Sequence, residues 1–135
     1  VNVIRGSDGS TIDNCTFKDN AALMGGGVYW TSKEGTITNT RFENNVAMRA
    51  DSGSSSSTTS QGGAIYWSGA NGKIDNCNFT KNSASYSGGA IYYHAGNQSV
   101  SNSYFSVITF FVLLTLPPVK EPPTLTTSPS NVTTL

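Results

Sequence analysis

Charged side chains are scarce in this chain, 12% of its 135 residues, and they cancel: 8 Lys and Arg against 8 Asp and Glu leave a formal net charge of zero. Nucleic acid or an anionic membrane surface is attracted by a basic field, which this composition does not supply. So low a charge content also argues against a helical bundle, whose solvent faces need charged residues. A single histidine, His94, and two cysteines, Cys15 and Cys77, are too few for a Cys/His zinc cluster or a disulfide-stapled miniprotein. No metal and no cofactor is therefore expected. The apolar run from Val107 to Leu116 covers about half of the roughly 20 residues that a spanning helix needs, so no membrane span is expected. No basic stretch followed by an apolar core and a cleavage site opens the chain, which begins on Val1 and reads as an internal fragment.

What the chain does have is internal repetition, in two interleaved parts. One is I-D-N-C-T-F at Ile12 to Phe17, I-T-N-T-R-F at Ile37 to Phe42, I-D-N-C-N-F at Ile74 to Phe79 and V-S-N-S-Y-F at Val100 to Phe105. The other is G-G-G-V-Y-W from Gly25, G-G-A-I-Y-W from Gly62 and G-G-A-I-Y-Y from Gly88, each lying between successive copies of the first. The aliphatic positions are 25, 37 and 26 residues apart, and the excess falls where the Ser/Thr-rich stretch from Ala50 to Ser60 interrupts the second copy. That stretch reads as an insertion loop, with too little apolar surface to offset its ordering entropy.

A period near 25 also suits leucine-rich and helical arrays, so residue type decides. The repeated segments are short, β-branched and aromatic, bounded by Gly and Asn, and carry no helix-period stripe. Units that cannot bury an apolar face alone must stack, which predicts a solenoid of about four coils, an all-β parallel β-helix. The crossover rule makes it right-handed.

Ile12 and Phe17 are five apart and would face opposite sides of an unbroken strand, so a one-residue bend is expected at Asn14, Asn39, Asn76 and Asn102. Stacked at about 4.8 Å, these amides are expected to form a ladder from coil to coil. Asn20, Asn45 and Asn82, three residues after each Phe, are expected to form a second one. The predicted core columns are Ile12/Ile37/Ile74/Val100, Cys15/Thr40/Cys77/Ser103, Phe17/Phe42/Phe79/Phe105 and Val28/Ile65/Ile91. Cys15 and Cys77, two rungs or about 9.6 Å apart, exceed the disulfide limit of about 7 Å and are expected as free, buried thiols.

The pairing of G-G-A-I-Y with I-D-N-C-x-F-x-x-N resembles the repeat of chlamydial polymorphic outer membrane proteins and of adhesin-like surface proteins of other microbes. The likeness covers Ile12 to Phe105; the fourth Phe copy departs from it, with Ile108 where Asn is the rule. The resemblance implies a right-handed parallel β-helix that serves as a non-catalytic repeat segment of a secreted or cell-surface adhesin, with further repeats of its own chain as neighbours. It also implies an extracellular or outer-membrane location. The alternative is a fragment of a β-helical polysaccharide lyase or glycoside hydrolase.

Tyr29, Tyr66 and Tyr92 flank the inward Val/Ile column and are expected outside, with Trp30, Trp67 and Tyr93 next along the strand. Such a file suits stacking on sugar rings or docking a protein surface, and it equally suits packing at the strand end. Asp13 and Asp75 are expected to share an outward column about 9.6 Å apart, near the far end of the range for an inverting glycosidase pair. As surface carboxylates they need no catalytic role, and His94 reads as a surface turn residue; no catalytic residue is assigned. Asn14, Asn78, Asn97 and Asn131 each begin a glycosylation acceptor triplet.

Residues 1–105 therefore read as β-helix repeats with the insertion at 50–60, residues 106–116 as an apolar cap or an out-of-frame segment, and residues 117–135 as a disordered Pro/Thr-rich tail. The out-of-frame reading rests on degenerate codons: those for T-L-P-P-V-K-E-P are compatible, two nucleotides on, with the repeat-like T-A-S-G-E-G-A.

Overall fold

A computed structural model of the chain describes residues 1–3, 6–48 and 60–110. The described residues form strands, bends and turns, and no helix among them is long and apolar enough to cross a membrane. Each winding carries four short strands. The first winding holds β1 (Asn2–Val3), β2 (Thr11–Asp13), β3 (Thr16–Lys18) and β4 (Ala21–Ala22). The second holds β5 (Val28–Trp30), β6 (Thr36–Thr38), β7 (Arg41–Glu43) and β8 (Val46–Ala47). The third holds β9 (Ile65–Trp67), β10 (Lys73–Asp75), β11 (Asn78–Thr80) and β12 (Ser83–Ala84). The fourth holds β13 (Ile91–Tyr93), β14 (Ser99–Ser101), β15 (Tyr104–Ser106) and β16 (Thr109–Phe110).

Equivalent strands pair in parallel into four sheets of four strands, here called faces A to D in chain order: β1-β5-β9-β13, β2-β6-β10-β14, β3-β7-β11-β15 and β4-β8-β12-β16. The register is the one that the repeats predict, with Ile37 opposite Ile12 and Ile74, and Phe42 opposite Phe17 and Phe79. The fold is the expected parallel β-helix. The fourth winding continues past Phe105 to Phe110, where it completes face D. Residues 49–59, which hold all of the expected insertion at 50–60 except Ser60, and everything from residue 111 on, which takes in most of the expected apolar cap and the whole Pro/Thr-rich tail, lie outside the described residues.

Turning four times per winding requires four corners, and each has a residue with positive φ. Asn14, Asn39, Asn76 and Asn102 bend at φ 48–51° between faces B and C. Asp19, Asn44, Lys81 and Val107 do so between C and D, and Gly25, Gly62 and Gly88 between D and A. Gly9, Glu34, Asn71 and Asn97 complete the set between A and B. One left-handed residue reverses strand phase, which lets Ile12 and Phe17 both point inward. At the D-to-A corner the second glycine is needed for space, since a Cβ on Gly26 would lie 2.7 Å from the backbone nitrogen of Val46.

The interior is built from columns of like residues. Val28, Ile37, Ile65, Ile74, Ile91, Phe42 and Phe79 are fully buried, while Ile12, Phe17, Val100 and Phe105 in the terminal windings are partly so. The four phenyl rings stack with centroids 5.0, 4.9 and 4.7 Å apart and planes within 8° of parallel.

The two asparagine columns differ. Asn45 and Asn82 are wholly buried, and the expected ladder is present: Asn20 Nδ2 donates to Asn45 Oδ1 at 2.9 Å, and Asn45 Nδ2 to Asn82 Oδ1 at 3.0 Å. The same amides reach back across the corner, Asn45 Nδ2 to the Phe17 carbonyl and Asn82 Nδ2 to that of Phe42, both at 2.9 Å. Ile108 ends the column by packing on the core. The ladder expected at Asn14, Asn39, Asn76 and Asn102 is not continuous. Only Asn76 Nδ2 to Asn39 Oδ1 joins two of its members, because the carboxylates of Asp13 and Asp75 accept the amides of Asn39 and Asn102 instead. These side chains stand on the exposed side of their corner, where a stronger charged acceptor is within reach.

Each buried group left without its partner costs roughly 1–3 kcal/mol, so Asn45→Ala should lower the unfolding free energy by about 2–4 kcal/mol in a urea titration. Asn20→Ala, at the exposed end of the same column, should cost less than about 1 kcal/mol. Equal losses would show that the ladder carries no special share of the stability.

Candidate functional site

Face A alternates in β5 and β9, whereas in β13 all three residues, Tyr92 among them, are buried. Val28, Ile65 and Ile91 point inward, so Tyr29, Tyr66 and Tyr92 point out, in register across β5, β9 and β13. Tyr29 and Tyr66 are half-buried and Tyr92 is 7% exposed. Their rings stack along the helix axis, with centroids 5.0 and 5.4 Å apart and planes 5° and 12° from parallel. Between neighbours the ring faces are thus covered, and ring edges and hydroxyls are what remain outward. Stacking of sugar rings on the ring faces, one of the readings open for this file, is not available between its members, whose rings pack on one another instead. Burial, then the neighbouring phenols, push the Tyr66 hydroxyl above its ordinary pKa.

The expected outward placement of Trp30, Trp67 and Tyr93 is overturned. They stand two positions beyond the inward aliphatics and so share their side of the strand; Trp30 and Trp67 are fully buried and Tyr93 is 3% exposed. The indoles stack at 4.6 Å, and Tyr93 tilts against Trp67 at 6.2 Å. Space for the indoles comes from Gly35 and Gly72, where a Cβ would come within 2.7 Å of the indole of Trp30 and of Trp67 respectively. In the fourth winding Tyr93 takes the place of the indole and Gln98 that of the glycine, and Gln98 Oε1 accepts the Gly72 N–H at 2.7 Å. This pairing of Trp with Gly and Tyr with Gln was a visible sequence signal that these rings are inside. Burial pushes the Tyr93 hydroxyl strongly up in pKa.

Asp13 and Asp75 occupy the expected outward column. Asp13 Oδ1 accepts from Thr38 Oγ1 and Asn39 Nδ2, both at 2.7 Å. Asp75 Oδ1 accepts in the same way from Ser101 Oγ and Asn102 Nδ2, both at 2.7 Å. These donors hold both carboxyls below the ordinary aspartate range, Thr38 leading for Asp13 and Ser101 for Asp75. A proton donor for glycoside cleavage needs the opposite shift.

The remaining candidates are dispersed. His94 is exposed, with its backbone N–H bonded to the Trp67 carbonyl at 2.9 Å. Both cysteines are free as expected, but only Cys77 is buried; Cys15 is exposed because it stands in the first winding with one neighbour. Cys77 Sγ donates to the Asp75 carbonyl at 3.3 Å, and burial raises its pKa. Among the described residues no three His, Cys, Asp or Glu side chains are grouped to hold a metal ion. Of the acceptor triplets, Asn14 and Asn97 are exposed, Asn78 is half-buried on face C, and Asn131 lies outside the described residues.

One feature escaped the sequence reading. Where successive windings turn from face A to face B, Gly6, Asp8, Lys33, Ser68 and Ala95 are among the residues lining a groove of about 500 Å³ beside the tyrosine file. Asp8 Oδ1 accepts the Lys33 N–H across its wall at 2.9 Å. These corner residues differ from winding to winding, so no recurring letter marks the place.

The family model described as "Right handed beta helix region" matches residues 2–111. No curated protein and no solved structure matches the chain significantly.

Two outcomes follow from the site geometry. Trp30 and Trp67 should emit as buried indoles and resist quenching by iodide; ready quenching would place them on the surface. A carboxyl whose folded pKa is depressed contributes stability above its unfolded pKa, and that contribution is lost as pH falls through the folded value. Urea titrations should therefore show stability eroding below about pH 3.9, the ordinary aspartate value, and Asp13→Asn/Asp75→Asn should flatten this dependence. An unchanged slope in the double variant would show that the Thr38 and Ser101 bonds do not couple to folding.

Proposed function

Because the chain belongs to the right-handed β-helix family, we propose that it is a non-catalytic repeat segment of a secreted or cell-surface adhesin-like protein. It binds a glycan or protein surface through face A and the adjoining corner loops. The observation that carries this reading is the tyrosine file, three aligned phenols of which Tyr29 and Tyr66 are partly exposed, beside a groove with both a cation and an anion on its wall. Ring edges are the electropositive part of an aromatic, and hydroxyls donate, so the strip suits a partner rich in oxygen acceptors. The likeness of the G-G-A-I-Y and F-x-x-N elements to polymorphic outer membrane protein repeats supports the cell-surface setting. Against a glycoside hydrolase stands the lowering of both aspartate pKa values by hydroxyl and amide donors, the reverse of what its proton donor needs.

Binding of the purified chain to arrayed glycans and to host-cell protein extracts tests the reading. A specific ligand should lose affinity by at least tenfold, about 1.4 kcal/mol, in Tyr66→Ala and retain it in Asp13→Asn and Asp75→Asn. Cleavage of an acidic polysaccharide that vanishes in either Asp variant would replace the adhesin with the enzyme.

A further inference from the structure

Tyrosines 29, 66 and 92 are the tyrosines whose rings stack on one another among the described residues. Tyr86 and Tyr104 are more exposed, at 46% and 63%, yet neither ring stacks on another aromatic, while Tyr93 is sealed in the core against Trp67. Within the file, Tyr29 and Tyr66 are the pair that combines the shorter separation, 5.0 Å, with partial exposure of both members; Tyr92 is buried and 5.4 Å from Tyr66. Their strands are hydrogen-bonded in register, which fixes the two Cβ atoms side by side. The ortho carbons of the two phenols therefore lie on neighbouring parallel rings, and a tilt of the two side chains about χ1 and χ2 out of the stack, rather than an encounter between distant residues, brings one of each into bonding contact.

The geometry points to a modification site: Tyr29 and Tyr66 are set to be coupled into an intramolecular dityrosine by a one-electron oxidant of the haem peroxidase class using hydrogen peroxide. Each phenol gives up one electron and its hydroxyl proton. The two phenoxyl radicals join through their ortho carbons, and the hydrogens displaced from those carbons move to the oxygens and restore two phenols. The two electrons and two protons released reduce one peroxide to two waters. Pre-alignment substitutes for the bimolecular encounter that such radicals otherwise need, so this pair outcompetes the more exposed but solitary Tyr86 and Tyr104. The product ties the second winding to the third and closes a long loop that contains the insertion, a covalent constraint on the unfolded chain of the kind a disulfide imposes.

Treating the dilute, folded chain with peroxidase and hydrogen peroxide tests the assignment. The monomer fraction should gain dityrosine fluorescence and lose the mass of two hydrogen atoms, and fragmentation should yield a linked peptide pair containing Tyr29 and Tyr66. Tyr66→Phe, which keeps the stacked ring, should lose the monomer cross-link, whereas the Tyr86→Phe/Tyr104→Phe variant should keep it. The yield should drop when the chain is unfolded in urea. A cross-link found only in dimers, one mapping to Tyr86, Tyr104 or the Tyr66–Tyr92 pair, or one that survives Tyr66→Phe would overturn the proposal.

Discussion

The described structure depends on windings that lie over one another in register, so that the core phenylalanines, aliphatics and corner asparagines meet their own kind at the spacing of hydrogen-bonded strands. That spacing, about 4.8 Å, is close to the distance at which aromatic rings stack and amides bond. Phenylalanine therefore packs on phenylalanine and asparagine donates to asparagine with no adjustment between windings. The buried Asn45 illustrates how complete the satisfaction is. Its two amide hydrogens go to Asn82 and to the Phe17 carbonyl, and its oxygen receives the side-chain amide of Asn20. A buried polar group is tolerated when every member of its network is satisfied.

The second constraint is the corner. A winding with four faces needs four reversals of strand phase, and a left-handed residue is the shortest way to make one. Asparagine and glycine fill most of these positions, while Glu34, Lys81 and Val107 hold the same conformation with side chains that do not favour it. Those three are positions where stacking imposes a backbone on a residue that would not choose it.

The same alternation decides which aromatic residues face a partner. A tyrosine in the middle of a three-residue strand is outward, and the ring that follows it is inward, so the dipeptides Tyr29-Trp30 and Tyr66-Trp67 divide between surface and core. The stacking that orders the outer file also covers its faces, which converts what would be a sugar-stacking platform into a strip of ring edges and hydroxyls. Self-association of the side chains thus limits the recognition chemistry available to this face.

Repetition in the sequence determined the fold, the register, the core columns and the position of the Asn14-type bend, because each follows from what a residue type does when stacked on itself. It also determined the ladder at Asn20, Asn45 and Asn82, whose place after each phenylalanine recurs without change. Other features were decided by tertiary contact. The Asn14 column broke because Asp13 and Asp75 offered its amides a charged acceptor, whereas the inward turn of Trp30 and Trp67 follows from strand alternation and from the recurring Gly35 and Gly72 that make room for the indoles. The groove beside face A is lined by residues that differ between equivalent positions of successive windings, so it exists only once the windings are brought together. Periodic letters report contacts between equivalents; contacts between different positions leave no period to read.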